Sequence, residues 1–118
     1  MIQIPATADI LVMHEPISFR NGIDGTSAIA RLVLKHEPMD GAIFVFRNKA
    51  CHSLRILFYD GGGFWLCTKR LSSGRFPSWP KGDGTLPASN LLARELQILI
   101  WRGDWSSCRF PDMWRKIS

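Results

Sequence analysis

Acid is almost missing from the middle of this 118-residue sequence: between Arg47 and Arg75 the one carboxylate is Asp60, against Arg47, Lys49, Arg55, Lys69, Arg70 and Arg75. A nuclease or transposase that works with divalent ions gathers several carboxylates around them. Only Asp24, Asp60, Asp83 and Asp104 are candidates here. Asp60 ends a strand-like run before three glycines, where a carboxylate holds a turn, and Asp24 precedes a helical pattern as a cap would. Cysteine is scarce too: Cys51, Cys67 and Cys108 are odd in number and irregularly spaced, which excludes a secreted disulfide framework and points to reduced thiols. The three histidines are scattered, with only Cys51 and His52 adjacent, so no zinc site is expected. No strained elbow or flanking motif marks a reactive thiol. The chain is therefore read as non-enzymatic, with no metal and no cofactor. Also absent are an apolar run near the ~20 residues that cross a bilayer and a basic-then-apolar leader, which implies a cytoplasmic protein.

What is present is material for one core, 46% hydrophobic residues, and a formal charge of +5. At this length one domain can bury a core without staples. The net charge favours acidic partners.

Residues 10–13 form a short apolar run between Pro5 and Pro16, which suits an edge or entry strand better than a helix. Residues 25–37 turn helical, with Ile29, Leu32 and Val33 on one face; Asp24 or Thr26 can cap the start and Pro38 stop the end. Strand-like runs follow at 43–47, 54–59 and 64–70. Residues 75–85 are rich in Pro and Gly and read as irregular, with Trp79 clamping that loop onto the sheet. Pro87 then falls in the first turn of a second helix, whose stripe is Leu92, Leu96, Leu99 and Ile100 and whose stop is Gly103. Phe44, Phe46 and Phe58 read as core, and Cys67 as a structural thiol within a strand.

The central hairpin carries the functional expectation. If Gly61, Gly62 and Gly63 are its whole loop, Tyr59 faces Trp65 and Arg55 faces Lys69 on one side of the sheet. Like charges directly opposite repel unless an anion lies between them, and a phosphate would fit there. If the loop forms otherwise, the register moves by one and both cations are ordinary solvated ends. Basic residues interleaved with aromatic rings suit a polyanion, cations meeting phosphates and rings meeting bases.

Four fragments, in order, resemble a known family: Arg20-Asn-Gly22-Ile-Asp24-Gly25; Gly41-Ala-Ile-Phe44-Val45-Phe46-Arg47; Leu57-Phe-Tyr-Asp60 with Gly63; and Lys69-Arg70-Leu71 with Gly74-Arg75-Phe76 and Trp79-Pro80. Together they resemble the TnpB accessory protein of insertion sequence 66 family transposons, from about Ile2 to Trp105. The resemblance implies an accessory to transposition, encoded beside a large transposase that carries the acidic catalytic residues. Its expected partners are DNA, that transposase and the other accessory protein of the element. The chain departs from the family pattern at Ser18, Arg55 and Ser72, where Asp, Lys and Glu are usual, and the spacing from Phe76 to Trp79 is one residue longer.

The expectation is an α+β domain over residues 1–104: a curved antiparallel sheet of four to five strands, with one amphipathic helix before it and one after it. Arg47, Lys49, Arg55, Lys69, Arg70 and Arg75 are assigned to phosphates, and Tyr59 and Trp65 to bases. A tail of residues 105–118, with Trp105, Arg109, Trp114 and Arg115, is assigned to partner binding. The rival expectation is an adaptor that binds the transposase with little direct contact to DNA.

Overall fold

The computed structural model describes residues 9–76, 78–82 and 84–101. Along the chain run β1 (Ile10–Met13), α1 (Ile23–Leu32), a short 3-10 turn (Pro38–Asp40), β2 (Ile43–Arg47), β3 (Ser53–Tyr59), β4 (Phe64–Arg70), β5 (Ala88–Leu91) and α2 (Ala93–Ile100). The five strands form one sheet in the order β4-β3-β2-β1-β5. With α1 ahead of the β2–β4 meander and α2 behind β5, the domain is of the expected α+β class. One pairing is not antiparallel: β1 runs parallel to β2, Ile10 opposite Ile43. A parallel pair needs a crossover connection, and α1 lies on it.

Residues of β1 and β2 do not alternate apolar with polar, because both faces of the sheet are covered. On one face Ile10, Val12, Ile43, Val45, Leu54 and Leu91 pack with Leu96 and Leu99 of α2 and with Phe76 and Trp79. On the other, Leu11, Met13, Phe44, Phe46 and Leu57 pack with Ala30 and Leu34 of the α1 segment. Full burial of each large apolar side chain contributes about 1.5–3 kcal/mol. Phe44 and Phe46 are wholly buried and Phe58 packs at the margin of the first cluster. Trp79 clamps its loop as expected: it is buried, its Nε1 donates to Met13 O at 2.9 Å, and Phe76 meets it edge-on at 6.1 Å.

Several boundaries differ from the sequence reading. Run 10–13 is an interior strand, hydrogen-bonded to β2 on one side and to β5 on the other. The α1 helix starts two residues earlier than expected, on Gly22, with no side-chain cap. Asp24 therefore sits in its first turn and Thr26 is buried inside it. Nor does Pro38 end α1. His36 N donates back to Ala30 O at 3.1 Å, and Lys35 turns the chain in the left-handed region at φ 60°, a closure one residue wider than the six-to-one bond of a Schellman motif. Pro38 opens the following 3-10 turn. Pro87 is not in a helix: its carbonyl accepts from His14 N at 2.9 Å, and Ala88–Leu91 pairs with β1. Helix α2 begins only at Ala93, with Glu95 Oε1 accepting from Leu92 N at 3.0 Å. The expected stop at Gly103 and the whole 105–118 tail lie outside the described residues. No described helix is long and apolar enough to cross a membrane.

Candidate nucleic-acid interface

The β3–β4 register decides which cations are available. Tyr59 pairs with Phe64, Phe58 with Trp65, Arg55 with Thr68 and Leu54 with Lys69, so the connecting loop is four residues, Asp60 through Gly63. Asp60 causes this: its Oδ1 accepts from Gly62 N and Gly63 N, both at 2.8 Å, and its own N–H donates to Gly63 O at 3.1 Å. The turn role expected of Asp60 holds, and by drawing Asp60 into the loop it moves the pairing by one residue. A one-residue shift changes which side chains share a face. Arg55 and Lys69 consequently project from opposite faces of the sheet, as do Tyr59 and Trp65, and the phosphate slot between Arg55 and Lys69 does not exist.

Arg55 is a clamp. Its Nη1 donates to Phe19 O at 3.1 Å and Asn21 O at 2.8 Å, its Nε to Thr68 Oγ1 at 3.0 Å, and its guanidinium lies 4.3 Å from the centre of the Phe19 ring. Burial lowers its pKa, though an arginine stays charged. These bonds fix the segment that leads into α1. Arg47 is similarly occupied: half-buried at the end of β2, it donates from Nη2 to His14 O at 3.0 Å and lies 5.4 Å over the Trp79 ring. Both guanidinium groups are half-buried and already bonded to backbone carbonyls, which leaves them fewer donors for a phosphate.

The exposed cations of residues 47–81 gather at one end of the sheet, while Arg31, Lys35 and Arg94 are exposed on or beside the helices. Loop 48–52 is built on Asn48, whose Oδ1 accepts from His52 N and Ser53 N at 3.1 Å, and Cys51 adopts φ 61° to close it. Lys49 stands exposed on this loop. Segment 71–76 is tied alongside by Leu71 N to His52 O at 2.8 Å and Phe76 N to Cys51 O at 2.9 Å. That brings exposed Arg70 and Arg75 to the same end as Lys49. Lys81, which the sequence reading passed over, joins them. Trp79 is anchored on Met13 O, and Gly82 lies so close to the His14 ring that a Cβ there would collide with it. The signal for Lys81 was its place just after an anchored Trp-Pro pair. Glu15 is an exposed carboxylate near this end, while Asp60 is at the far end of the hairpin. Lys69, next to Arg70, donates from Nζ to Ile100 O at 2.7 Å, where the negative end of the α2 dipole favours a cation.

The aromatic residues divide likewise. Tyr59 donates its hydroxyl to Gly61 O at 3.2 Å and packs on Phe64 with centroids 5.0 Å apart. Trp65, on edge strand β4, is 49% exposed. Its Nε1 donates to Asp60 Oδ2 at 2.7 Å, and its ring lies parallel to Phe58 within 6°, centroids 6.1 Å apart. The Trp65 hydrogen bond, followed by those from Gly62 and Gly63, holds the Asp60 carboxyl below its usual range. Trp105, Arg109, Trp114 and Arg115 lie outside the described residues, and no group of three or more potential metal ligands occurs among the described ones.

A family model described as IS66 Orf2-like protein matches residues 8–109. The chain belongs to that family. Membership makes it an accessory protein of insertion sequence transposition, in agreement with the four sequence fragments. Among curated proteins it is similar to the uncharacterized protein y4jC of Sinorhizobium fredii (strain NBRC 101917 / NGR234), 40% identical over 97 residues, covering 82% of this chain and 80% of that one. It is also similar to the uncharacterized protein y4hO of the same strain, 37% identical over 97 residues, covering 81% and 79%. No solved structure matches.

Proposed function

We propose that this accessory protein binds DNA without cutting it, holding phosphates at the basic end of its sheet through Lys49, Arg70, Arg75 and Lys81, with Lys69 alongside. The observation that carries the reading is the convergence of loop 48–52 and segment 71–76, joined by the Leu71–His52 and Phe76–Cys51 backbone bonds. Cations supplied by separate turns thereby reach one surface whose central stretch is acid-poor. Such a surface attracts a polyanion and releases its counterions. In transposition it would position an element end, or the transposase on it, while the chemistry belongs to the transposase.

An adaptor role has one supporting observation. Trp101 is 64% exposed where α2 ends, at the approach to the segment whose Trp105, Arg109, Trp114 and Arg115 are proposed as a contact for the transposase.

A salt titration of the full chain on duplex DNA tests the proposal. The logarithm of the binding constant should fall linearly with the logarithm of salt, and changing Lys49, Arg70 and Arg75 together to Ala should reduce the slope by up to about three units, nearly one per phosphate contact. Absence of DNA binding, or a slope the triple variant leaves unchanged, refutes it and leaves the adaptor reading.

A further inference from the structure

We propose that Trp65 is a stacking platform for an unpaired base, so that the nucleic acid this protein takes at β4 is single-stranded. The inference rests on the DNA-binding reading above and deepens it. An exposed tryptophan on an edge strand ordinarily swings among rotamers and gains little by being fixed. Here the ring is fixed at both its edge and one side: Nε1 is held by Asp60 Oδ2 at 2.7 Å, and the indole lies parallel to Phe58. Asp60 is itself held by two glycine N–H groups. The platform is therefore set before a ligand arrives, with about half its surface, 49%, still in solvent.

Bases inside a duplex already stack on their neighbours and offer no free face, whereas an unpaired base can lie on an aromatic ring. Charge sets the direction of the strand. Asp60 repels a phosphate at the loop end of β4, while at the other end Lys69, which also donates to Ile100 O, attracts one, with Arg70 beside it on the opposite face. Lys69 shares a face with Trp65 four residues on, about 13 Å along the strand at ~3.3 Å per residue. A single strand can thus place a base on Trp65 and run its backbone toward the basic end.

The test measures anisotropy of labelled oligothymidine and of a hairpin duplex of equal length, with the full chain and with Trp65→Leu, Trp65→Phe and the Lys49→Ala/Arg70→Ala/Arg75→Ala variant. Leucine keeps an apolar cover on Phe58 but removes the ring face. Trp65→Leu should weaken oligothymidine binding about tenfold, with an unchanged salt slope and unchanged duplex binding, and Trp65→Phe should restore most of the loss. Photocrosslinking of a 5-iodouracil-substituted oligomer to the unaltered protein should label the peptide that contains Trp65, a readout independent of how any variant folds. Oligothymidine binding untouched by Trp65→Leu, an equal loss on duplex, or a crosslink map without Trp65 overturns the inference. If the triple charge variant still lowers the slope in that case, the phosphate reading survives alone. If the unaltered protein binds neither DNA, both fall together.

Discussion

The Arg55→Ala substitution removes three hydrogen bonds and one ring contact at once: Nη1 to Phe19 O and Asn21 O, Nε to Thr68 Oγ1, and the guanidinium over Phe19. A hydrogen bond to a charged donor contributes about 1.5–3 kcal/mol when sheltered. Arg55 is only half-buried, and water can reach the freed carbonyls, so about 1 kcal/mol for each backbone bond is the better value. The contact with Phe19 adds about 0.5–1 kcal/mol. The expected loss is about 3 kcal/mol, which for a domain of this size lowers the melting temperature by about 12 °C. Urea unfolding followed by circular dichroism should show an earlier midpoint with an unchanged slope. Lysine should restore less than half, since one ammonium cannot serve two carbonyls and a hydroxyl in a fixed fork. DNA affinity and its salt slope, measured below the melting range, should stay as they were. A variant that melts within about 2 °C of the unaltered protein while losing a unit of salt slope would refute this account and return Arg55 to the phosphates.

Two further outcomes follow from local geometry. Lys35→Gly should raise stability by about 0.5–1 kcal/mol in urea unfolding, because Lys35 turns the chain after α1 at φ 60°, a conformation that strains a residue with a Cβ; a loss of stability would show that the lysine side chain contributes more than its backbone costs. Acid should weaken the fold through Asp60 and Glu37, each lowered, Asp60 by its bond from Trp65 and Glu37 by its bond from Arg31. A carboxyl with a depressed folded pKa contributes stability above its unfolded value and loses it as pH falls through the folded value. Melting temperature should therefore hold down to the ordinary values of 4.5 for Glu37 and 3.8 for Asp60 and decline below them, less steeply in Asp60→Asn; a rise on acidification would contradict both assignments.

Much of the sheet was legible because strands β2, β3 and β4 are bounded by turn residues and rich in β-branched and aromatic side chains. Trp79 and Phe44 were legible as core on the same grounds. Strand β5 was not, since Ala88-Ser89-Asn90-Leu91 has weak strand character and is held by pairing with β1, distant in sequence. The hairpin register turned on one carboxylate bonding two glycine N–H groups, a detail the spacing of apolar residues does not contain. The cations divided for a similar reason. Arg47 and Arg55 look like Arg70 in the sequence, but the fold delivers the carbonyls of His14, Phe19 and Asn21 to them.

The placement of β1 also bears on how the chain reaches this fold. Strands β2, β3 and β4 are neighbours in sequence and can zip together as soon as they exist, whereas β1 awaits β5, with Ile10 opposite Leu91. Closing so long a loop adds little to the equilibrium cost, about 0.6 kcal/mol per doubling of length, but contacts between distant segments slow folding. During synthesis the first strand made is the last to be enclosed. Until residues 88–99 emerge, Ile10 and Val12 lack Leu91, Leu96 and Leu99 over them, and the free edge of β1 can recruit another nascent chain.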